Sequence, residues 1–160
     1  MSENAQEGIR LGEVATDLPE GFDAGLFYIG RIRTPWTRRS QCPHRGTRDG
    51  PLCRIEIDPR WGEALHGVAD TPCLQVLYWM HEARRDLVRQ KPRQSGESRG
   101  TFSLRSPVRP NPIASSVVEL VSVEGLILGV RGLDCLDGTP LLDLKPEACV
   151  HATKADVHGA

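Results

Sequence analysis

The stretch Ser116–Leu133, SVVELVSVEGLILGVRGL, decides the fold class. Its two runs, Ser116–Val123 and Leu126–Leu133, are rich in Val, Ile and Leu, the residue types that fit a pleated, half-buried surface. Between them Glu124-Gly125 has the chemistry of a tight turn, so a β-hairpin is expected. Working outward, strand-like runs recur at short spacing. Leu26–Arg33 (LFYIGRIR) is one, ended by Thr34-Pro35; Cys53–Ile57 (CRIEI) alternates as a half-buried strand does. Leu74–Met80 is a continuous apolar run around Gln75, hence a buried strand, and Thr101–Leu104 is a short one. Pro140–Leu144 follows a second turn signal at Asp137-Gly138. Pro59–Gly67 is read as a short helix, with Trp61, Leu65 and Val68 near helical spacing. The pattern predicts a mainly β protein, a β-barrel or compact sheet with one or two short helices.

The remaining segments are punctuation. Residues 1–25 mix acids, Gly and Pro without periodicity and are read as a flexible leader, followed by a barrel domain over 26–146 and a C-terminal tail over 147–160. Residues 36–52 are loop-like, and the basic tract 83–101 is expected to be a flexible loop. Ser106–Pro112 cannot be regular, because prolines at 107, 110 and 112 remove ladder donors and fix φ.

A chain of 160 residues is long enough for one real core and short for two ordinary domains. The longest apolar runs fall well short of a membrane span, and Met1–Arg10 lacks the pattern of a secretory signal. Five cysteines form no C-x-x-C pair, and their odd number argues against a disulfide framework. The chain is therefore read as reduced and cytoplasmic. Transmembrane, collagenous, zinc-ribbon and disulfide-scaffold classes are excluded, and without a G-x-G-x-x-G or a P-loop a dinucleotide fold is not expected. The net charge of −1 hides an uneven distribution: residues 31–109 hold 15 Arg and 1 Lys against 8 acids. An arginine-rich middle suits planar, bidentate contacts to phosphate or carboxylate, although a solvated surface has the same composition.

Three constellations could carry chemistry. In Leu104–Ile113 (LRSPVRPNPI) the prolines hold an extended backbone from which Arg105, Arg109 and Asn111 project, a preorganised arrangement for an anionic ligand. In Gly132–Lys145, Asp134 and Asp137 stand beside turn amides that could hold ribose hydroxyls or an amino group. Cys135 is there too, but without a paired base it reads as a buried hydrophobe. No metal is expected: the aspartates lack accompanying ligands, and Cys42, His44 and Cys53 match no common zinc spacing. His81 follows the apolar run 74–80, where a strand end could face a cleft.

Taken jointly, these pieces resemble the TsaA-like family of TrmO-type transfer-RNA methyltransferases, over roughly residues 26–146. The resemblance rests on Ile29–Trp36 (IGRIRTPW), on Arg105–Ile113 (RSPVRPNPI) and on Leu133–Pro146 (LDCLDGTPLLDLKP). It implies a dimeric, single-sheet β-barrel that uses S-adenosylmethionine to methylate N6 of threonylcarbamoyladenosine in tRNA beside the anticodon. It further implies cofactor contacts from Pro43, His44, Arg45, Met80, His81, Arg105 and Ile113, and from Asp134, Cys135, Leu136, Asp137, Gly138 and Thr139. His81 and Asp137 are the candidates for a catalytic base. Arg84, Arg85, Arg89, Lys91, Arg93 and Arg99 would hold the anticodon-loop backbone. The chain departs from the family pattern at Ala114, where Gly is usual, and after Pro146. Two other readings stay open: a non-catalytic S-adenosylmethionine sensor or adaptor, and a methyltransferase with a non-tRNA acceptor.

Overall fold

The computed structural model describes residues 8–149 except Gln94. The hairpin expected at its centre is there: β7 (Ile113–Glu124) pairs antiparallel with β8 (Ile127–Arg131), Glu124 opposite Ile127. The turn residues are Gly125 and Leu126, one position later than the Glu-Gly reading. Gly125 takes φ +60°, a left-handed conformation open to glycine without a Cβ penalty.

Around this hairpin six strands close a barrel in the order β2-β3-β8-β7-β4-β9, with β2 at Gly30–Arg33, β3 at Cys53–Ile57, β4 at Cys73–Trp79 and β9 at Thr139–Glu147. Closure explains the burial pattern. In β3, Cys53, Ile55 and Ile57 point inward while Arg54 stays exposed. Ile32 lies opposite Ile55, and Ile55 opposite Leu128. These residues, with Val76, Val130 and Leu141, have no solvent exposure. Removing such side chains from water is the dominant stabilising term.

The described chain forms two compact units. The barrel unit comprises residues 28–78 and 115–149. The other comprises the N-terminal residues up to 27 together with 79–114. It contains a second, three-stranded sheet in which β5 (Leu87–Gln90) pairs with both β1 (Val14–Ala15) and β6 (Arg99–Gly100). A single-sheet reading therefore accounts for the barrel and misses this sheet. Two expectations are corrected here. The basic tract 83–101 is a hairpin rather than a loop, and the leader contains a strand. Ser98 Oγ donates to Gly12 O at 2.6 Å and Thr16 N to Asp86 O at 2.8 Å, fastening the N-terminal segment to this sheet.

Other boundaries also move. The first barrel strand covers only Gly30–Arg33, because Leu26, Phe27 and Tyr28 are exposed. Thr101–Ser103 is a 3-10 turn, as is Pro59–Leu65, started by Asp58, whose side chain accepts from Arg60 N at 2.9 Å. Residues 150–160 of the expected tail lie outside the described residues.

The bridge-free reading of the cysteines is corrected as well: Cys73 and Cys149 form a disulfide, with Cα atoms 5.4 Å apart. The cause is the pairing of β4 with β9, which sets Cys73 opposite Glu147 and brings a cysteine 76 positions away alongside. An odd count forbids complete pairing, not one bridge.

Inside the unit that holds the second sheet the buried Gln90 amide donates to Thr101 Oγ1 at 2.8 Å and to Val108 O at 2.7 Å, while Thr101 Oγ1 donates to Leu87 O at 2.7 Å. Thr101→Val removes the middle of this chain and leaves the Leu87 carbonyl short of a donor. It should cost about 1–2 kcal/mol, read as a lower urea midpoint at unchanged slope.

Candidate functional site

The site residues expected from the sequence fall into two groups, one in each unit. In the barrel unit, Asp134–Thr139 forms the connection into β9 and is tied on both sides. Thr34 N donates to Asp137 Oδ1 at 3.1 Å, Thr34 Oγ1 to Cys135 O at 2.8 Å, and Asp137 N to Trp36 O at 2.7 Å. Arg31 Nη1 donates to Gly138 O at 3.0 Å, and Thr139 Oγ1 to Leu136 O at 2.7 Å. The loop's carbonyls and the Asp137 carboxylate are thus largely occupied in holding the loop. Asp137, half of whose carboxylate already accepts an amide, positions the connection.

Asp134 is different. Its Oδ1 accepts from the buried Tyr78 hydroxyl at 2.8 Å, which also lies 2.9 Å from Ser116 Oγ. Burial and the neighbouring Asp134 charge push the Tyr78 phenol far above its ordinary value, so it remains a donor. Asp134 Oδ2 has no donor among the described residues. The result is a half-buried carboxylate, locked by one oxygen, with the other available to a cation or donor ligand.

The exposed loop Pro43-His44-Arg45 belongs to the same place. The neighbouring Cys42 thiol is raised by burial and by the charge of Asp134, so the loop start lies within electrostatic reach of that carboxylate. Gly46 explains the approach: a Cβ there would stand 1.8 Å from Gly132 O. Cys135 is 1% exposed and its thiol is pushed up to about 12, chiefly by burial. It is a protonated, inert filler at neutral pH, as the sequence suggests.

In the other unit, Met80 N donates to Pro112 O at 2.8 Å, which brings Met80 beside Ile113. Arg109 closes the proline-rich segment on itself through Leu104 O and Ser106 O, both at 3.1 Å. Arg105 is exposed and has no partner among the described residues, and the His81 side chain is likewise exposed.

The six basic residues of the tract are not equivalent. Arg84 is bidentate to Asp86 at 2.7 and 2.8 Å, Arg99 stands 3.7 Å from Glu97, and Arg89 reaches Ser98 O at 3.4 Å. Arg85 donates to Pro110 O at 2.5 Å and to Asn111 Oδ1 at 3.1 Å, with its guanidinium carbon 5.1 Å from the Phe22 ring centre and 5.3 Å from that of Trp79. It is a clamp on the Asn-Pro-Ile segment, with cation–π contacts on two rings, and not a free phosphate ligand. Sequence reading missed Tyr78, Thr34 and Gly46. Only the last carried a signal, as a glycine beside the Pro-His-Arg loop.

A closed six-stranded β-barrel with a tethered Asp-Gly connection and a rigid proline-rich arginine segment defines the class of protein. Residues 31–151 match the tRNA-methyltransferase O N-terminal domain, and the chain belongs to that family. The probable S-adenosyl-L-methionine-binding protein VirR of Rhizobium radiobacter is 52% identical over 149 residues, covering 93% of this chain and 85% of its own. The putative S-adenosylmethionine-dependent methyltransferase RcsF of Pseudomonas aeruginosa is 37% identical, covering 82% of this chain and 58% of its own. Among solved structures, TrmO from Pseudomonas aeruginosa matches with a TM-score of 0.66 and 29% identity over 87% of this chain. The chain spans 64% of that TrmO.

Proposed function

We propose that the chain is an S-adenosylmethionine-dependent methyltransferase acting on N6 of threonylcarbamoyladenosine in tRNA, next to the anticodon. The observation that carries the reading is Asp134, a fixed carboxylate with a spare oxygen in the Leu-Asp-Cys-Leu-Asp-Gly-Thr block of a TrmO-family barrel. S-adenosylmethionine, when bound, supplies an electrophilic methyl group on a positively charged sulfur. The donors of each unit, taken separately, suit it. In the barrel unit Asp134 Oδ2 suits the positive charge and the Pro43–Arg45 loop lies near Asp134; in the other unit Arg105, without a partner among the described residues, carries a guanidinium suited to a carboxylate. Met80, His81 and Ile113 complete the assignment that family resemblance implies.

The protein's own contribution is alignment, which converts an encounter into an in-line reaction. An amide-like nitrogen is a weak nucleophile and must lose its proton to become an effective one. With Asp137 engaged by Thr34, His81 is the better base, its imidazole taking the proton that the acceptor nitrogen gives up. The working form is a cytoplasmic homodimer. Its support is the outer face of β7 in the barrel unit, where Val117 and Val121 are each 48% exposed, a strip that pairing would cover. Among the described residues no helix is long and apolar enough to cross a membrane.

The reading is tested by mass spectrometry of tRNA nucleosides from cells with and without the protein; loss of N6-methylated threonylcarbamoyladenosine is expected. Calorimetry should show micromolar S-adenosylmethionine binding, weakened about tenfold in Arg105→Ala, or about 1.5 kcal/mol. No binding at millimolar cofactor would refute the assignment. The names of several relatives, which mention S-adenosylmethionine binding alone, favour one second reading: a sensor that binds the cofactor and transfers nothing. Tight binding with an unchanged tRNA nucleoside profile would select it, or else a non-tRNA acceptor.

A further inference from the structure

In the unit that contains the second sheet, Arg10, Lys91, Pro92, Arg93 and Gly96 line a cavity of about 150 Å3. Three of these five residues are cations from two distant parts of the chain. Its Arg10 wall is held by a carboxylate that is not itself part of the lining. The Glu13 side chain is only 4% exposed, and its oxygens accept from Arg10 N at 3.0 Å and Arg10 Nε at 3.1 Å. Arg10 Nη2 also donates to Lys91 O at 2.8 Å, and Lys91 N lies 3.5 Å from Glu13 Oε1. Glu13 therefore fixes Arg10 against the end of β5 and neutralises one of the three charges. The Arg10 guanidinium holds the Glu13 carboxyl below the usual range, so this anchor stays ionised at neutral pH.

Two positive charges remain. The Lys91 ammonium and the Arg93 guanidinium have no acceptor among the described residues, unlike Arg84, Arg85, Arg89 and Arg99 of the same tract. A cluster of cations held together without their own counter-ions is electrostatically unfavourable until an anion enters. A phosphate group meets the requirement: its oxygens accept from a fork and an ammonium together, and its charge offsets the excess.

We infer that this cavity is a phosphate-binding site, with Lys91 and Arg93 as the contacting cations, Arg10 as the third wall and Glu13 as the positioning residue. The phosphate is that of an RNA backbone or of a free nucleotide. The choice of RNA rests on the proposed tRNA substrate; the anion site itself does not. The structure thereby narrows six basic residues to two and adds Arg10 and Glu13, which lie outside the tract.

The test uses the full chain, a single-stranded RNA decamer and uridine monophosphate, with binding followed between 20 and 300 mM salt. Wild-type protein should bind the decamer with a steep salt dependence, and the double variant Lys91→Ala/Arg93→Ala should lower the log–log slope by about 1.4, roughly 0.7 per lost contact on a single strand. Arg54→Ala/Arg60→Ala, which removes equal charge from the other unit, should keep the wild-type slope. Glu13→Gln should weaken binding although it adds positive charge, the reverse of a bulk charge effect. Decamer binding without binding of the mononucleotide identifies an RNA backbone as the source; binding of both identifies the phosphate group itself. The inference is overturned if wild type binds neither at 20 mM salt, or if the two double variants behave alike. In the second case RNA binding persists and the tRNA reading stands. Conversely, wild type that fails to bind S-adenosylmethionine removes the methyltransferase reading and leaves the anion site intact.

Discussion

Gly46→Ala is expected to lose about 3 kcal/mol of stability and most of the cofactor affinity together. A Cβ at this position would lie 1.8 Å from Gly132 O and 2.3 Å from its carbonyl carbon, and neither is the end of a flexible side chain that could swing aside. Gly132 is itself packed against β7, where a Cβ on it would stand 3.2 Å from Val117 O, so it has little room to yield. One backbone must retreat, and overpacking of this kind reaches the upper end of its usual 1–3 kcal/mol range. The retreat separates Pro43-His44-Arg45 from the segment leading to Asp134. Urea denaturation should show the lower midpoint, and calorimetry with S-adenosylmethionine at a temperature where the variant remains folded should show at least a tenfold loss. An unchanged midpoint would mean that the two loops do not pack as described.

The second large effect concerns Asp134. Asp134→Ala removes the carboxylate and also the acceptor of the buried Tyr78 hydroxyl, which keeps Ser116 as its remaining neighbour. Cofactor affinity should fall by about 1.5–3 kcal/mol, the range for a hydrogen bond to a charged group, or roughly 10- to 150-fold. Stability should fall by about 1 kcal/mol for the weakened Tyr78 network. Asp134→Asn separates the two roles. Its side-chain carbonyl still accepts from Tyr78, so the urea midpoint should stay near wild type while the cofactor loss persists with the charge. If Asp134→Asn binds S-adenosylmethionine like wild type, the carboxylate does not serve the sulfonium and the site lies elsewhere.

The candidate site was legible to different depths. The Leu133–Pro146 block is contiguous, so its turn at Asp137-Gly138 and its strand could be read from local chemistry alone. Its anchors could not: Thr34 and Tyr78 are remote in sequence, and the closure of the barrel brings them to Asp137 and Asp134. Asp137 shows the consequence. As a carboxylate beside a turn it reads as a base, and only its bond from Thr34 N reveals an anchoring role. Arg85 is the parallel case. Composition places it among phosphate ligands, whereas its partners Pro110, Asn111, Phe22 and Trp79 come from three other segments.

By itself the amino-acid sequence determined the β class and the limits of Cys53–Ile57, which alternates, as well as the central hairpin and the irregularity of Ser106–Pro112. In each of these the cause is local, a side-chain period or a fixed φ acting over a few residues. Tertiary structure alone decided that Leu87–Gln90 is a strand, since its partners are Val14–Ala15 and Arg99–Gly100 and its own residues, Leu-Val-Arg-Gln, do not alternate. It also decided the Cys73–Cys149 bridge, which follows from the register of β4 on β9, and which four of the six cations already have partners. Those outcomes depend on what the chain brings alongside from far away, and pairing between remote segments leaves no period in the sequence of either one.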